Sequence, residues 1–454
     1  KYTFQIKKTI RCLYKRLTIM NQKKRKSHYH ADMLSVEDAR EKILSKFKTL
    51  NPIQINILES VGSVISEDII SEINVPPLDN SAMDGYAVIK NDLLKADDEN
   101  IIYLDVIEEI PAGTIPKLSL SPGQASRIMT GAPIPSGSDA VVPFEDTNEL
   151  ENNDKNKIGI KISVKNLENI RKKSEDIKKG SVIIKKGSLI TSATVGVMAS
   201  IGLEKVSVIR KPIIGILSTG NELLEPGEKN QDGKIYNSNT YTLSSLVTEF
   251  GATPLIQKHA LDKVEDLEKK LAKLKDVDLI VTSAGVSKGD YDIVKDVLDK
   301  NGDINLWSVN MRPAKPLAFG IITIDGKKIP LLGVPGNPVS AMIAFEKFGR
   351  YAIDKMKGKP LRNRPIIKAN LESDIINHDG RRLYSRVKVI VDSSSKIIAV
   401  PIKNQSSGVL TSMHEANGLA ICPSDIDILK KGEKIDVEMF NWNENISDIL
   451  NNEE

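Results

Sequence analysis

The alternation of apolar runs with helical segments between residues 210 and 350 restricts the fold of this chain more than any other feature. The apolar runs have the length of buried strands, and they are Pro212–Ser218, Val277–Thr282, Pro316–Ile322 and Ile329–Val334. Segments with helical spacing or helix-start signals are 239–250, 263–275, 290–300 and 337–350, the last begun by Asn337 as the cap and Pro338 in the first turn. Repeated strand–loop–helix units predict a doubly wound, mostly parallel sheet. We expect this central α/β domain to span residues 209–355.

Three loops of small residues leave the predicted strand ends, where doubly wound sheets bind ligands. They are 218–222, 282–292 and 335–340. Small residues let backbone N–H groups approach an anion, and each loop is expected to run towards a helix N-terminus, whose dipole favours negative charge. One such loop is most often a plain connection, but three at one edge predict a phosphate or oxyanion site.

Two cations, Arg312 and Lys315, stand three residues apart and are flanked by Pro313 and Pro316. The prolines stiffen the segment, so the two charges form a fixed pair. A solvated surface loop is the alternative interpretation of this segment. Its place after a central strand favours an anion clamp.

The segment Pro76–Ala87 combines prolines and turn-forming residues with apolar side chains, which predicts an ordered loop carrying Asp84. Asp79 in the same segment is expected to form a turn. Acids also occur near the predicted anion loops; the set is Asp84, Asp176, Glu222, Asp290 and Asp292. Carboxylates repel phosphate unless a divalent cation bridges them or one acts as a base. The acids therefore predict Mg²⁺ and phosphoryl-type chemistry.

The remaining sequence predicts a multidomain α/β plus β protein. Residues 33–75 and 166–208 are expected to form a split helical N-terminal domain, with helices beginning after Ser35, around Ser60–Ile70 and at Thr191–Ile201. Short apolar segments separated by Gly, Pro and Asp predict an inserted small β domain at 76–165. The same pattern returns past residue 356 and predicts a C-terminal β-barrel-like domain at 356–445, with strands at Arg382–Val391, Ile397–Pro401 and Gly418–Cys422.

The charge of the 454-residue chain is unevenly distributed. Residues 1–33 hold ten basic residues and one acid, which is +9, so the formal net charge of +4 leaves −5 for the rest. A mildly acidic body gives no reason to expect nucleic acid as a partner. The basic extension at 1–32 is expected to be a disordered arm; upstream translation and an organelle presequence are the alternatives.

Cysteine, histidine and hydropathy exclude several classes of protein. Cys12 and Cys422 are the only cysteines, so a disulfide framework is not expected and a reducing, cytoplasmic location fits. The five histidines show no zinc spacing. No apolar run approaches the roughly 20 residues that span a bilayer, so no membrane partner is expected.

Several motifs together resemble the MoeA family, which includes the gephyrin E domain. The motifs are Asp79–Ala87, Met129–Pro135, Asn169–Arg171 with Glu175–Ile177, Leu217–Leu223, Ser283–Asp292, Leu332–Ser340, Gly380-Arg381, Ser406–Gly408 and Ala416–Leu419. They occur in the family's order and cover the chain from about Leu34 to about Phe440.

The resemblance implies a molybdopterin molybdotransferase whose central domain is molybdopterin-binding and MogA-like, that is, similar to the smaller adenylyltransferase of the same pathway. The implied substrates are molybdate and adenylylated molybdopterin, and the products are AMP and molybdenum on the dithiolene, with Mg²⁺ required. The implied assembly is a homodimer, with each site between the α/β domain of one subunit and the β domain of the other. The adenylyltransferase of the pathway is a possible partner.

The resemblance also assigns roles by position. The expected catalytic acids are Asp84, Asp176, Glu222 and Asp292, with Glu222 and Asp292 as metal ligands. The residues expected to bind molybdate and substrate phosphate are Ser287, Arg312, Lys315, Ser340, Arg381 and Ser407. Asp262 is a further candidate at the next strand end, and a helix N-cap before Lys263 is its alternative role.

The chain departs from the family pattern at four positions. Ala284 and Ala314 stand where the family usually has Gly, Arg312 replaces a Lys, and Ser174 replaces a Gly before Glu175. No acid or cation is lost, so activity is expected to survive. A non-catalytic scaffold of the same fold and a tungstate-inserting enzyme are the alternatives to the molybdate enzyme.

Overall fold

The computed structural model describes residues 33–149, 154, 156–283 and 302–440. Residues 52–208 form one compact unit, and the chain on either side of them forms a second. The described α-helices are α1 Val36–Leu44, α2 Ser192–Ser200, α3 Ser238–Glu249, α4 Val264–Leu271, α5 Pro338–Ala344, α6 Arg350–Met356 and α7 Thr411–Glu415. None of the described helices is long and apolar enough to cross a membrane. A π-helical segment, Phe345–Gly349, joins α5 to α6.

Helix starts follow local capping chemistry, as the sequence predicts. The Ser35 side chain accepts a hydrogen bond from the Asp38 backbone N–H at 2.9 Å, which satisfies an otherwise unpaired amide of α1. Thr191 and Thr194 form a reciprocal capping box at the start of α2. Asn337 occupies the N-cap position of α5, but its side chain makes no capping bond, and Pro338 provides the preformed first turn.

The unit at 52–208 is built from short strands. They are β1 Pro52–Asn56, β2 Val64–Ile65, β3 Ile69–Ile70, β4 Asn80–Ser81, β5 Gly85–Val88, β6 Ile102–Ile110, β7 Gln124–Ile128, β8 Ala140–Pro143, β9 Lys157–Ile160, β10 Ile170–Arg171, β11 Val182–Ile184 and β12 Lys205–Ile209. Five of them form the sheet β8-β5-β7-β6-β9, which encloses an apolar core that includes Tyr86, Leu104 and Val142. The remaining strands form the sheet β1-β12-β2 and the two-stranded pairs β10-β4 and β11-β3.

The helix predicted around Ser60–Ile70 is wrong. This segment instead forms β2 and β3, which pair with β12 and β11. Gly62 has a φ of +77°, and the segment is rich in β-branched residues such as Val64 and Ile65, which pack well on a pleated surface. Tertiary strand pairing therefore overrides the helical spacing.

The second unit contains a six-stranded sheet in the order β16-β13-β17-β21-β20-β18. Its strands and the ribbons beside it are β13 Ile213–Ser218, β14 Leu223–Leu224, β15 Ile235–Tyr236, β16 Thr253–Ile256, β17 Leu279–Ser283, β18 Gly302–Ser308, β19 Met311–Arg312, β20 Pro316–Ile324 and β21 Lys327–Val334. The first four strands in the sheet are parallel, and β20 and β18 are antiparallel additions. Alternate residues of β17 pack into different cores: Leu279 and Val281 lie with α3 and α5, whereas Ile280 lies with α4. Helices therefore cover both faces, which confirms the doubly wound fold.

The C-terminal strands close into a barrel. They are β22 Ile366–Leu371, β23 Ile375–Ile376, β24 Arg382–Val391, β25 Ile397–Pro401, β26 Gly418–Cys422, β27 Ile428–Leu429 and β28 Lys434–Met439. The order β24-β25-β22-β28-β26 returns to β24 through the β24–β26 pairing. The predicted barrel-like fold and the bounds of its strands β24, β25 and β26 are confirmed.

Candidate functional site

A cavity of about 720 Å³ lies where the β19–β20 connection meets the barrel. We call it the cation cavity. Five of the predicted binding residues line it: Arg312, Lys315, Ser340, Arg381 and Ser407. The sixth, Ser287, lies outside the described residues. These side chains come from the end of β19, the β19–β20 connection, the first turn of α5 and two barrel loops, so the fold brings together residues that are far apart in sequence.

The charge of this cavity is strongly positive. Its lining contains five cations, Arg312, Lys315, Arg381, Arg386 and Lys403, against one acid, Asp374. Low-dielectric walls strengthen the field of such a cluster. The cation cavity is therefore suited to a ligand with several negative charges.

Asp379, which the sequence analysis missed, holds two of these cations. Its Oδ2 lies 2.5 Å from Arg381 Nη2 and 3.6 Å from Arg312 Nη1, and Oδ1 accepts the Arg381 backbone N–H at 3.1 Å. Burial opposes ionisation of Asp379, but the hydrogen bonds from Arg381 and the charge of Arg312 leave its pKa below the usual value. Its position two residues before Arg381 was the available signal.

The backbone of the Arg312–Lys315 clamp takes an unusual conformation. Ala314 is buried and has a φ of +73°, in the left-handed region that favours glycine. The Lys315 carbonyl accepts the Val309 N–H at 2.8 Å, which closes the loop against the end of β18. The glycine that the family usually has at this position suits this left-handed backbone, and this chain adopts the same conformation with Ala314.

A second cavity of about 710 Å³ lies at the carboxyl ends of β13, β17 and β21, and we call it the strand-end cavity. Glu222, Asn239, Ser283 and Gly336 are among its lining residues, and Pro316 lines both cavities. Two of the three predicted loops, 218–222 and 335–340, meet here. The residues after Ser283 in the other loop, including Asp290 and Asp292, lie outside the described part of the chain.

The 218–222 loop does not enter a helix directly, contrary to expectation. It leads into β14, which pairs in parallel with β15 before α3 begins. Glu222 is therefore presented by a loop–ribbon turn, without a helix dipole behind it. A Cβ on Gly220 would lie 2.5 Å from Glu222 Oε2, so the absent side chain is what makes room for this carboxylate.

Asp262 reaches the same loop from the next strand end. Its Oδ2 accepts the Asn221 N–H at 3.1 Å, and its own N–H donates to Asn221 Oδ1 at 3.0 Å. Helix α4 has Lys263 at its N-cap and no side-chain cap, so the alternative role of Asp262 as a helix cap is wrong. Two hydrogen bonds therefore join the loop that carries Glu222 to the segment that carries Asp262.

Asn239, at the start of α3, was also missed by the sequence analysis. Its Nδ2 donates to Ser283 Oγ at 2.6 Å and to the Gly336 carbonyl at 2.7 Å. One amide therefore links the helix to the ends of β17 and β21. Its place among polar residues at the helix start was a signal, but such residues usually act as caps.

Asp84 lies in the unit at 52–208, on the connection between β4 and β5. Its Oδ1 accepts from the Thr130 backbone N–H at 2.6 Å and from Thr130 Oγ1 at 2.8 Å. These two bonds favour the charged form and lower the pKa of Asp84 below its usual value. A Cβ on the adjacent Gly85 would lie 1.9 Å from the Val142 carbonyl oxygen, so glycine lets the strands behind Asp84 pair closely. The predicted ordered loop is found, and it carries Asp84.

Asp176 lies on the segment that pairs with the Asp84 loop. Strand β10 pairs with β4, and the Asp176 N–H donates to the Val75 carbonyl at 3.0 Å. Asp176 is exposed, and the preceding Ser174 has a φ of +65°. This left-handed value explains why the family usually has Gly there.

Asp79 fastens the two segments together instead of forming a local turn. Its Oδ1 accepts the Lys173 N–H at 2.7 Å, and its Oδ2 pairs with Lys172 Nζ at 3.1 Å. The backbone bond from Lys173 is the main cause of the lowered pKa of Asp79. Both oxygens of the Asp79 carboxylate are engaged, whereas the two bonds from Thr130 reach only Oδ1 of Asp84.

The acids of the second unit were predicted to include ligands of Mg²⁺. Glu222 supplies carboxylate oxygens at the strand-end cavity, and Asp262 is bonded to the neighbouring Asn221. Hard oxygen ligands of this kind are what Mg²⁺ prefers. No group of three or more His, Cys, Asp or Glu side chains converges within the described ranges. Asp292, the other predicted ligand, is outside those ranges.

Three family models match successive parts of the chain: the MoeA N-terminal region (domains I and II) at residues 34–202, a probable molybdopterin-binding domain at 215–355, and the MoeA C-terminal region (domain IV) at 368–440. A relative from Mycobacterium tuberculosis, molybdopterin molybdenumtransferase 2, is 33% identical over 412 residues, which cover 89% of this chain and 99% of that protein. The molybdopterin molybdenumtransferase of Staphylococcus epidermidis is 34% identical over 406 residues, covering 89% and 95%. The crystal structure of the molybdopterin biosynthesis MoeA protein of Pyrococcus horikoshii matches with a TM-score of 0.75 and 30% identity, covering 90% of this chain and all of that one.

Proposed function

The chain belongs to the MoeA family, and from this premise we propose that it is a molybdopterin molybdotransferase. The proposed reaction takes adenylylated molybdopterin and molybdate, cleaves the phosphoanhydride, releases AMP and leaves molybdenum on the dithiolene. The observation that supports it best is the cation cavity, with five cations and one acid in its lining. Both substrates are polyanions, so a cavity of this charge favours their binding.

The cation cavity is proposed to hold the oxyanions. Arg312 and Arg381 present planar guanidinium groups, which match tetrahedral oxyanions through paired hydrogen bonds. Ser340 and Ser407 add hydroxyl groups at the same cavity. Because Asp379 already orients both arginines, little rearrangement is needed when an anion enters.

We propose different roles for the acids: metal binding, orientation of water or a cation, and proton removal. Glu222 and Asp292 would hold Mg²⁺, which neutralises phosphate charge when it is bound. Asp84 has a pKa below the usual range, so it is a weak base and is better suited to orient water or a cation than to remove a proton. Asp176, with no such bonds to its carboxylate among the described contacts, is the better candidate for the base.

The deciding assay is AMP release from adenylylated molybdopterin in the presence of Mg²⁺ and molybdate. Wild-type protein should release AMP, and Asp84→Asn, which keeps the shape but not the charge, should release far less. A wild-type rate equal to that of Asp84→Asn would sink the enzyme proposal and favour a scaffold. Repeating the assay with tungstate instead of molybdate separates the two metals.

We also propose a homodimer in the cytoplasm, fed by the adenylyltransferase whose product is this enzyme's substrate. A sedimentation measurement tests the dimer directly. If each site takes residues from two subunits, mixing the inactive variants Asp84→Asn and Lys315→Ala should restore part of the AMP release. A mixture as inactive as its components would contradict shared sites.

A further inference from the structure

Arg386, on β24, is a buried cation that the proposed mechanism does not use. It is 1% exposed and lines the cation cavity. Its Nη2 donates to the carbonyl oxygens of Asn404 at 3.3 Å and Ser406 at 3.2 Å, and its Nε has no partner in the described part of the chain. Burial lowers the pKa of Arg386 to about 10, so the group stays charged at neutral pH.

No described carboxylate pairs with this guanidinium. A buried charge without a counter-ion is costly, and most buried arginines are paired. In the same cavity, by contrast, Arg381 and Arg312 both pair with Asp379. The missing negative charge at Arg386 is what an anionic ligand in the cavity would supply.

The contacts of Arg386 also determine where Ser407 lies. The Arg386 backbone N–H donates to Gln405 Oε1 at 3.0 Å, and Gln405 Nε2 donates back to the Arg386 carbonyl at 2.8 Å. With the two carbonyl bonds, this holds residues 404–406 at four points. The carbonyl oxygen of the next residue, Ser407, accepts the N–H of Val339 at 3.1 Å, and Val339 directly precedes Ser340.

We propose that Arg386 is a positioning residue for the bound oxyanion: it fixes the 404–407 loop so that Ser407 stands beside Ser340, and its charge attracts the anion. The inference rests on the proposed function, because the anion is taken to be molybdate or a phosphate of the nucleotide substrate. Arg386 acts through the loop and through its field, and it takes no part in bond breaking.

The test compares Arg386→Met and Arg386→Lys with Lys388→Met. Lys388 is exposed on the same strand, so its variant removes one positive charge outside the cavity. Arg386→Met should raise the KM for molybdate or for the nucleotide about tenfold or more, the equivalent of about 1.4 kcal/mol, with kcat for AMP release near the wild-type value. Arg386→Lys keeps the charge but not the planar guanidinium, so its KM should lie between those of the wild type and Arg386→Met. Lys388→Met should have the KM of the wild type.

Two titrations separate the sources of the anion. One varies molybdate at saturating adenylylated molybdopterin, and the other varies the nucleotide at saturating molybdate; a rise confined to one KM identifies the anion that Arg386 positions. If that anion is molybdate, inorganic molybdate alone should raise the melting temperature of the wild type more than that of the Arg386 variants, a measurement that needs no turnover. This keeps failure of the inference distinct from failure of the proposed function, which would show as absent AMP release by the wild type.

Unchanged KM values for both molybdate and the nucleotide in Arg386→Met, together with molybdate-induced melting shifts equal to those of the wild type, would overturn the inference. If Arg386→Met does not fold, as judged by circular dichroism, Arg386→Lys decides: wild-type KM values for both substrates would overturn it. A fall in kcat with both KM values unchanged would also overturn it, because that pattern indicates general damage or a catalytic role.

Discussion

Gly220 should be essential for the position of the Glu222 carboxylate. Its φ is +151°, and a Cβ built there would lie 2.5 Å from Glu222 Oε2 and 2.7 Å from Oε1. Ordinary contact begins at 3.4 Å, so in Gly220→Ala the carboxylate must retreat by the difference, about 0.9 Å. The end of a glutamate side chain is flexible, so the protein should fold and the carboxylate should move.

The expected cost has two parts. The strained backbone should lower the free energy of unfolding by about 1–3 kcal/mol. A displacement of about 1 Å at a group that positions substrate or metal can reduce the rate by about 100-fold. We therefore expect a modest loss of stability and a large loss of AMP release.

Gly227→Ala is the matched control. Gly227 also has a positive φ, +94°, but nothing lies within 4 Å of a Cβ built there. It should show similar destabilisation in a thermal melt and nearly normal AMP release. The difference between the two variants isolates the displacement of Glu222 from backbone strain.

A double-mutant cycle sharpens the test. With Glu222→Ala as the background, adding Gly220→Ala removes no further contact, so the two losses of rate should not add. Full additivity would refute the reasoning, as would a wild-type kcat in Gly220→Ala. Raising the Mg²⁺ concentration should partly restore Gly220→Ala if the displaced carboxylate is a metal ligand.

Ser174→Gly should raise the free energy of unfolding by about 0.5–1 kcal/mol. Relief of the left-handed backbone at this position, about 1–2 kcal/mol, exceeds the cost of the added conformational entropy of glycine in the unfolded chain. Urea denaturation with an unchanged slope measures the difference. Thr130→Ala should raise the pKa of Asp84 towards its ordinary value and move the acid limb of the pH–rate profile to higher pH, which carboxyl-carbon NMR can follow. Since the native pKa of Asp84 is the lower one, the stability from its bonds to Thr130 is present at neutral pH and is lost as the pH falls through the native value. Deleting residues 1–32 should leave AMP release unchanged, and a large loss of rate would place the arm at the site.

Much of the fold follows from short-range patterns. The predicted strands ending at Ser218 and Val334 and the helix starts at Ser35 and Thr191 are found because apolar periodicity and capping act between residues close in sequence. The helix predicted at 60–70 is wrong because the structure of this segment depends on pairing with β11 and β12, which lie more than a hundred residues further along the chain.

Part of the candidate site could also be predicted from the sequence, and part of it could not. The clustering of Arg312, Lys315, Ser340, Arg381 and Ser407 was anticipated from family motifs, and the cation cavity brings them together. Asp379 and Asn239 were missed, because an acid near an arginine and an amide at a helix start each have a commonplace explanation. Only their contacts across the fold distinguish them.

By itself, the sequence determined the main strands of the central domain, the loops at the carboxyl ends of its parallel strands and the kinds of charge those loops carry. It could do so because parallel topology sends every such loop to one edge of the sheet. Only the tertiary structure decided that Asp379 compensates Arg312 and Arg381 while Arg386 remains without a carboxylate partner among the described residues. The physical reason is that charge compensation depends on distances of a few ångströms, and residues far apart in sequence, such as Arg312 and Asp379, come that close only in the folded chain.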